Sequence, residues 1–204
     1  YGPKDEVDYA RIAELGLPFW IGGSKASPEK LKWAKSVGAS GIQAGSIFAL
    51  CEESGMDPAI RRDIRRLGFE GKLEVRTDMK ASPTGFPLKV AVLHGSLSEE
   101  DVHLSRRKLC TQGALRTLFE EQDGSIGYRC PGEPVATYLK KFGTIEETDG
   151  ARCICNGLLS TAGLGNSDEA PIVTMGDDVG FLKFLMVNPE DYYKVFDVLG
   201  YLRR

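Results

Sequence analysis

The chain has 204 residues, 42% hydrophobic and 27% charged, with a net charge of −3, the make-up of a globular sequence able to bury one core or two small ones. The slight acidity excludes a nucleic-acid footprint, because the only concentrated basic residues, Arg61-Arg62 and Arg65-Arg66, fall on one predicted helix and read as its solvated face. No apolar run reaches the roughly 18 residues of a membrane helix and no signal peptide is legible; five scattered cysteines point to a reducing compartment, by default the cytoplasm.

In chain order, Asp5 to Leu15 places apolar residues at helical spacing and predicts a helix ended by Gly16. The stretch Leu17 to Ser46 then organises the rest. Phe19-Trp20-Ile21 is a short apolar run closed by Gly22-Gly23; periodicity does not separate strand from helix, but length and context favour a buried strand. Ser27-Pro28-Glu29 is a helix start, with a capping hydroxyl, a proline at the first position and an acid in the first turn. Gly38 stops that helix. Gly41 to Ala44 reads as a second strand, closed by Gly45 and a capping Ser46 before another helix from Ile47 to Ser54. Strand, glycine, helix, repeated, predicts a parallel α/β unit.

Two neighbouring parallel strands that end in glycine bring backbone N–H groups together where no Cβ obstructs an anion, which suits a phosphate. In a (β/α)8 barrel such a site is frequently built from the last two strand-to-helix loops. The same glycines also serve as plain turns and helix stops.

Further on, Asp57-Pro58 starts a helix to Leu67, stopped by Gly68. The acid pair Glu52-Glu53 reads as solvated rather than catalytic. Leu73 to Thr77 and Val90 to Leu93 read as strands, with Ala81 to Pro87 a loop between them and Ser98-Glu99-Glu100-Asp101 a capping-box-like start of a helix to about Lys108. His94 and His103 are the chain's two histidines, and each reads as structural. The last third reads as helices and loops: a helix over Glu133 to Lys141, a glycine-punctuated stretch from Asn156 to Gly165, a short strand over Pro171 to Met175, and helices over Phe181 to Val187 and Tyr192 to Leu202. Cys130 and the pair Cys153/Cys155 do not predict zinc, because the Cys-x-Cys pair occurs once with no second pair nearby in sequence.

The blocks L-P-F-W-I-G-G, S-P-E-K-L and G-A-S-G-I-Q-A-G-S-I-F-A-L-C-E-E-S-G resemble the flavin-binding segment of the nitronate monooxygenase family, formerly 2-nitropropane dioxygenases. The blocks from Ala81 to Lys89, Gly127 to Pro131, Arg152 to Leu159 and Thr174 to Asp178 are similar to its long-chain members. The resemblance implies flavin mononucleotide (FMN), its phosphate held at Gly22, Gly23, Gly45 and Ser46, with Gln43 and Ala44 leading into the second loop. One departure stands out: the family's first loop carries a further glycine where Ser24, Lys25 or Ala26 stands here, and Lys25 would add a favourable charge.

On this resemblance the fold class is α/β, the C-terminal part of a flavin-binding (β/α)8 TIM barrel followed by an α-rich extension. Residues 1–68 would be the last βα units and 69–204 the mixed helix and loop extension. The chain begins at Tyr1 and shows two strand-glycine-helix units where a closed barrel takes eight strands and ~250 residues, so a longer parent polypeptide is expected. The implied activity is oxidation of an alkyl nitronate with molecular oxygen. The family's catalytic base is a histidine preceding the phosphate-binding segment; neither His94 nor His103 matches it, so no catalytic residue is assigned. The expected partners are a small nitronate-like substrate, oxygen, and the missing N-terminal half or a second copy. Competing expectations are a flavin enoyl reductase with the same phosphate loops, and a non-catalytic assembly module.

Overall fold

The structure, a computed structural model, describes residue 4 and residues 6–204; Tyr1 and Asp5, where the chain and its first predicted helix begin, lie outside the described residues. In order the elements are α1 (Tyr9–Ala13), β1 (Trp20–Ile21), α2 (Pro28–Ser36), β2 (Gly41–Ile42), α3 (Ser46–Ala49), α4 (Pro58–Phe69), β3 (Val75–Asp78), β4 (Leu88–Ala91), α5 (Glu100–Ser105), β5 (Thr117–Glu120), β6 (Ile126–Arg129), α6 (Val135–Lys140), α7 (Ile145–Thr148), α8 (Ile154–Thr161), α9 (Leu182–Leu185) and α10 (Val195–Leu202). Among the described residues the strands pair as β1-β2, β3-β4 and β5-β6, three two-stranded sheets with no closed barrel. Contacts divide the chain into two compact units, one of residues 1–54, 61–72 and 178–204, the other of 55–60 and 73–177.

In the first unit, β1 and β2 run parallel with Trp20 opposite Gly41 and Ile21 opposite Ile42. Ile21, Ala34 and Ala39 are buried beneath them, with Tyr9, Phe19, Val37 and Ile42 packed around. Only half of the expected buried strand is covered: Trp20 is 54% exposed. The helix α2 begins as its sequence dictates, with Ser27 Oγ accepting from Lys30 N at 3.3 Å and Pro28 in the first turn. The helix predicted to run to Ser54 ends instead at Ala49. Its continuation is taken over by tertiary bonds: the Tyr193 hydroxyl donates to Ile47 O at 2.7 Å and Glu52 N donates to Tyr193 O at 3.0 Å.

Helix α4 starts where expected, Asp57 Oδ1 accepting from the amides of Ala59 (2.9 Å) and Ile60 (3.1 Å). Gly68 does not stop it. It lies inside the helix and lets Leu182 approach, since a Cβ there would stand 2.6 Å from Leu182 Cδ1. The basic face also differs from expectation: Arg61 and Arg65 are buried, 5% exposed each, because both reach Glu52. Arg65 Nη1 lies 2.6 Å from Glu52 Oε1 and Arg61 Nη2 3.3 Å from Oε2. Arg65 Nη1 also donates to Leu50 O at 3.1 Å. The hydrogen bond from Arg65 holds the Glu52 carboxyl below its usual range. Glu53 takes Val195 N at 3.1 Å through Oε2, placing an acid at the start of α10. On α10 itself Val198 and Tyr201 face the core, whereas Phe196 is 81% exposed.

In the second unit β3 and β4 are antiparallel, Val75 opposite Ala91 and Asp78 opposite Leu88. The expected strand at Pro171 to Met175 lies along β4 as a single bridge, Val90 to Thr174, with Ala91 N donating to Val173 O at 3.0 Å. Val90, Leu97, Ile154 and Ile172 form its buried apolar cluster. Ser98 does not cap α5; its hydroxyl is turned inward to Leu93 N (3.1 Å) and Ser96 Oγ (2.7 Å). A further hairpin, β5-β6, turns at Asp123-Gly124-Ser125, where Ser125 N donates to Asp123 Oδ1 at 2.9 Å. The stretch Asn156 to Gly165 is largely helical, as α8.

Candidate functional site

The four residues expected to hold a phosphate, Gly22, Gly23, Gly45 and Ser46, and the Gln43-Ala44 pair leading into the second loop stand at two adjacent junctions of the first unit. The ladder between the parallel strands continues one step past β2, Gln43 N donating to Ile21 O at 2.9 Å. A Cβ on Gly22 would lie 3.3 Å from Gln43 Oε1 and 3.7 Å from Gln43 Cβ, so the first loop leaves its strand directly beside the second. Gly22, Gly23, Gln43 and Gly45 are exposed, Ala44 and Ser46 half-buried. Gly23 has φ +77°, a left-handed conformation that glycine adopts without steric cost. Gly45 is the residue before α3, its carbonyl accepting from Phe48 N (3.0 Å) and Ala49 N (2.9 Å). A Cβ on Gly23 or Gly45 would meet no atom within 4 Å, so both turns open to solvent on a side where an anion can approach.

The first loop is tied down by a residue that sequence did not single out. Lys30 Nζ donates to Ser24 O at 2.6 Å and reaches Asp178 Oδ2 at 3.0 Å. Both side chains are about two-fifths exposed, 42% and 40%, so the ion pair itself contributes at most about 1 kcal/mol. Its larger effect is positional: Ser24 sits at φ +50°, a conformation costing a non-glycine residue roughly 1–2 kcal/mol, and the lysine holds its carbonyl there. Of Ser24, Lys25 and Ala26, Ser24 is therefore where a further glycine would be at ease. The Lys25 Nζ lies over the Trp33 ring, 4.7 Å from the centroid.

The histidines differ sharply. The His94 side chain is fully exposed and pairs with Glu99 through Nδ1 at 3.2 Å. His103 is buried, 4% exposed, with Nδ1 lacking a hydrogen-bond partner among the described residues. Burial, aided by the charges of Arg152 and Lys108, depresses its pKa to about 4.

A second polar constellation, unseen in sequence, lies inside the second unit. Arg106 and Glu169 form a two-pronged pair, Nε to Oε1 and Nη2 to Oε2 both at 2.8 Å, with side chains only 2% and 7% exposed. Asn156 joins it, donating from Nδ2 to Leu109 O at 2.8 Å and to Glu169 Oε2 at 3.2 Å, while its Oδ1 accepts from Thr111 Oγ1 at 3.1 Å. The signal that could have found it was weak: an Asn in an apolar stretch and an isolated Arg and Glu 63 positions apart.

Among the described residues no helix is long and apolar enough to cross a membrane, and no group of three or more His, Cys, Asp or Glu stands ready to hold a metal ion. In comparisons with protein-family models, curated proteins and solved structures, the chain matches none.

Proposed function

We propose that the chain is the flavin-phosphate-binding part of an FMN-dependent oxidoreductase of the nitronate monooxygenase type, acting in the cytoplasm on alkyl nitronates with oxygen. The observation that carries this reading is the adjacency of the Gly22-Gly23 and Gly45-Ser46 turns at the ends of two parallel strands. Their backbone, exposed and free of Cβ atoms at the three glycines, offers amide dipoles to a dianion without a side chain in the way. Gln43 and Ala44 bring the second turn alongside the first. The flavin, when bound, would supply the redox chemistry, accepting electrons from the substrate and passing them to oxygen. This chain's residues would anchor and orient it; neither His94, in solvent, nor His103, buried, is assigned as the base. The exposed Trp20 of β1 and the two-stranded sheet it edges fit a unit that packs against further strands of a barrel.

The test is the visible spectrum of the full-length product of the parent gene, with and without an added alkyl nitronate. A flavin band bleached by the nitronate is expected; bleaching by reduced pyridine nucleotide alone would point to an enoyl reductase, and a colourless protein would overturn the reading. Gly45→Asp sharpens the test. Gly45 has φ −95° and open space around it, so the fold accommodates a side chain, while the carboxylate repels a phosphate. Flavin should be lost with the thermal transition unchanged.

A further inference from the structure

Four of the five cysteines, Cys110, Cys130, Cys153 and Cys155, belong to the second unit, all half-buried, all free. In sequence they form one Cys-x-Cys pair and two distant singles. The fold gathers them. Cys153 and Cys155 flank the start of α8, Cys153 as the residue before the helix and Cys155 in its first turn. Cys110 is held against the same turn, because its neighbours on both sides, Leu109 O and Thr111 Oγ1, are hydrogen-bonded to Asn156. Cys130 arrives from a third segment: Gly132 approaches so closely that a Cβ on it would lie 2.9 Å from Arg152 O and 3.6 Å from Cys153 Cα.

From this convergence we infer that Cys110, Cys130, Cys153 and Cys155 are the ligands of a structural zinc ion. The sequence objection, that the Cys-x-Cys pair lacks a second pair nearby, is met in three dimensions by Cys110 and Cys130. The surroundings suit an anionic centre. Arg106 stands beside Cys153, its side chain is 2% exposed, and its Nη1 has no hydrogen-bond partner among the described residues. The buried Arg152 adjoining Cys153 likewise leaves Nε and Nη1 unpartnered. Buried guanidinium N–H groups without acceptors are costly, and thiolate sulfurs would receive them as outer-shell partners of the metal. Cys130 lies within electrostatic reach of Cys153, Cys110 and Cys155. As they stand the side chains form no ready ligand set, so ligation requires them to turn onto a common centre from backbone that is already gathered. The balance is simple. Four thiols release four protons, Zn²⁺ accepts four sulfur lone pairs, and the product carries a charge of −2, with no change of oxidation state. The zinc would join three segments that otherwise rest on a small apolar cluster of Val90, Leu97, Ile154 and Ile172.

The experiment is metal analysis of the purified chain expressed with added zinc salt, together with the visible spectrum after exchange with Co²⁺. About one zinc per chain is expected, and cobalt should give the red bands and near-ultraviolet sulfur charge transfer of a tetrahedral thiolate site. Cys130→Ser and Cys155→Ser should each lower zinc content at least about fivefold, whereas Cys51→Ser, in the first unit, should not. The cobalt spectrum needs no variant, so a misfolded mutant leaves the inference testable. Metal-free protein with all four thiols titratable, a disulfide among them, or zinc retained in the double variant C110S/C130S would overturn it. Flavin content does not enter the measurement, and either reading can fail without the other.

Discussion

Changing Glu169 to Gln tests the energetics of the second unit most directly. The carboxylate is 7% exposed and accepts three hydrogen bonds, two from Arg106 at 2.8 Å and one from Asn156 at 3.2 Å. Gln keeps the shape and one acceptor, but turns an N–H toward a donor and leaves the Arg106 charge buried without its counter-ion. Removing one partner of such a pair costs about 3–5 kcal/mol; the retained acceptor places the loss near the lower end, about 3 kcal/mol. With a urea slope of about 2 kcal/mol per molar, the midpoint should fall by about 1.5 M. Circular dichroism is the signal to follow, because both tryptophans, Trp20 and Trp33, lie in the other unit. A second comparison separates lost charge from lost packing. The apolar double variant R106M/E169L should be less destabilised than Glu169→Gln, since it removes both charges of the pair together. A midpoint shift below about 0.5 M, the scale of an exposed ion pair, would refute the claim that this pair is desolvated.

Two more outcomes follow from single residues. His103, with its pKa depressed from 6.5 to about 4, is neutral in the fold while an unfolded histidine takes up a proton. Its contribution is intact above pH 6.5 and is lost as pH falls from 6.5 toward about 4, by roughly 3 kcal/mol at most. Urea midpoints measured between pH 7 and 4 should show this slope, and His103→Leu should flatten it; an equally steep slope in the variant would show that other groups carry it. Ser24→Gly relieves a left-handed serine worth roughly 1–2 kcal/mol against a glycine entropy cost of about 0.5–1 kcal/mol. The net gain should raise the tryptophan-monitored transition by about 2 °C, and a fall would mean that Lys30 and Asp178 leave no strain at this turn.

The local grammar of the chain was readable where a short rule decides the outcome. Ser27-Pro28 and Asp57-Pro58 start helices as written, and β1, β2 and the glycine turns between them lie where apolar run and glycine placed them. Misreadings came where tertiary partners outbid local ones. Tyr193, some 146 residues from Ile47, ends α3 early, and Glu52 draws two arginines of a seemingly solvated face into the interior. Ser98 looks like a cap in sequence but spends its hydroxyl on Leu93 and Ser96. The β5-β6 hairpin carried a usable sign, Asp123-Gly124 between apolar positions, a strong short-range turn signal. The cysteine convergence had none, because what joins Cys110 to Cys153 is a side-chain amide, Asn156, whose partners no spacing rule reveals.

The first unit is assembled from three stretches of chain, the last of them residues 178–204. Residues 73–177 separate it from the rest, an excursion of 177 − 73 + 1 = 105 residues, whose closure carries an entropic cost of about 4 kcal/mol. During synthesis Ile47 and Glu53 leave the ribosome long before Tyr193 and Val195, the groups that bond to them. The glycine turns are thus made early and locked late, and a premature stop codon anywhere in the final 27 residues (204 − 178 + 1) would strike a unit whose own glycine turns were already translated.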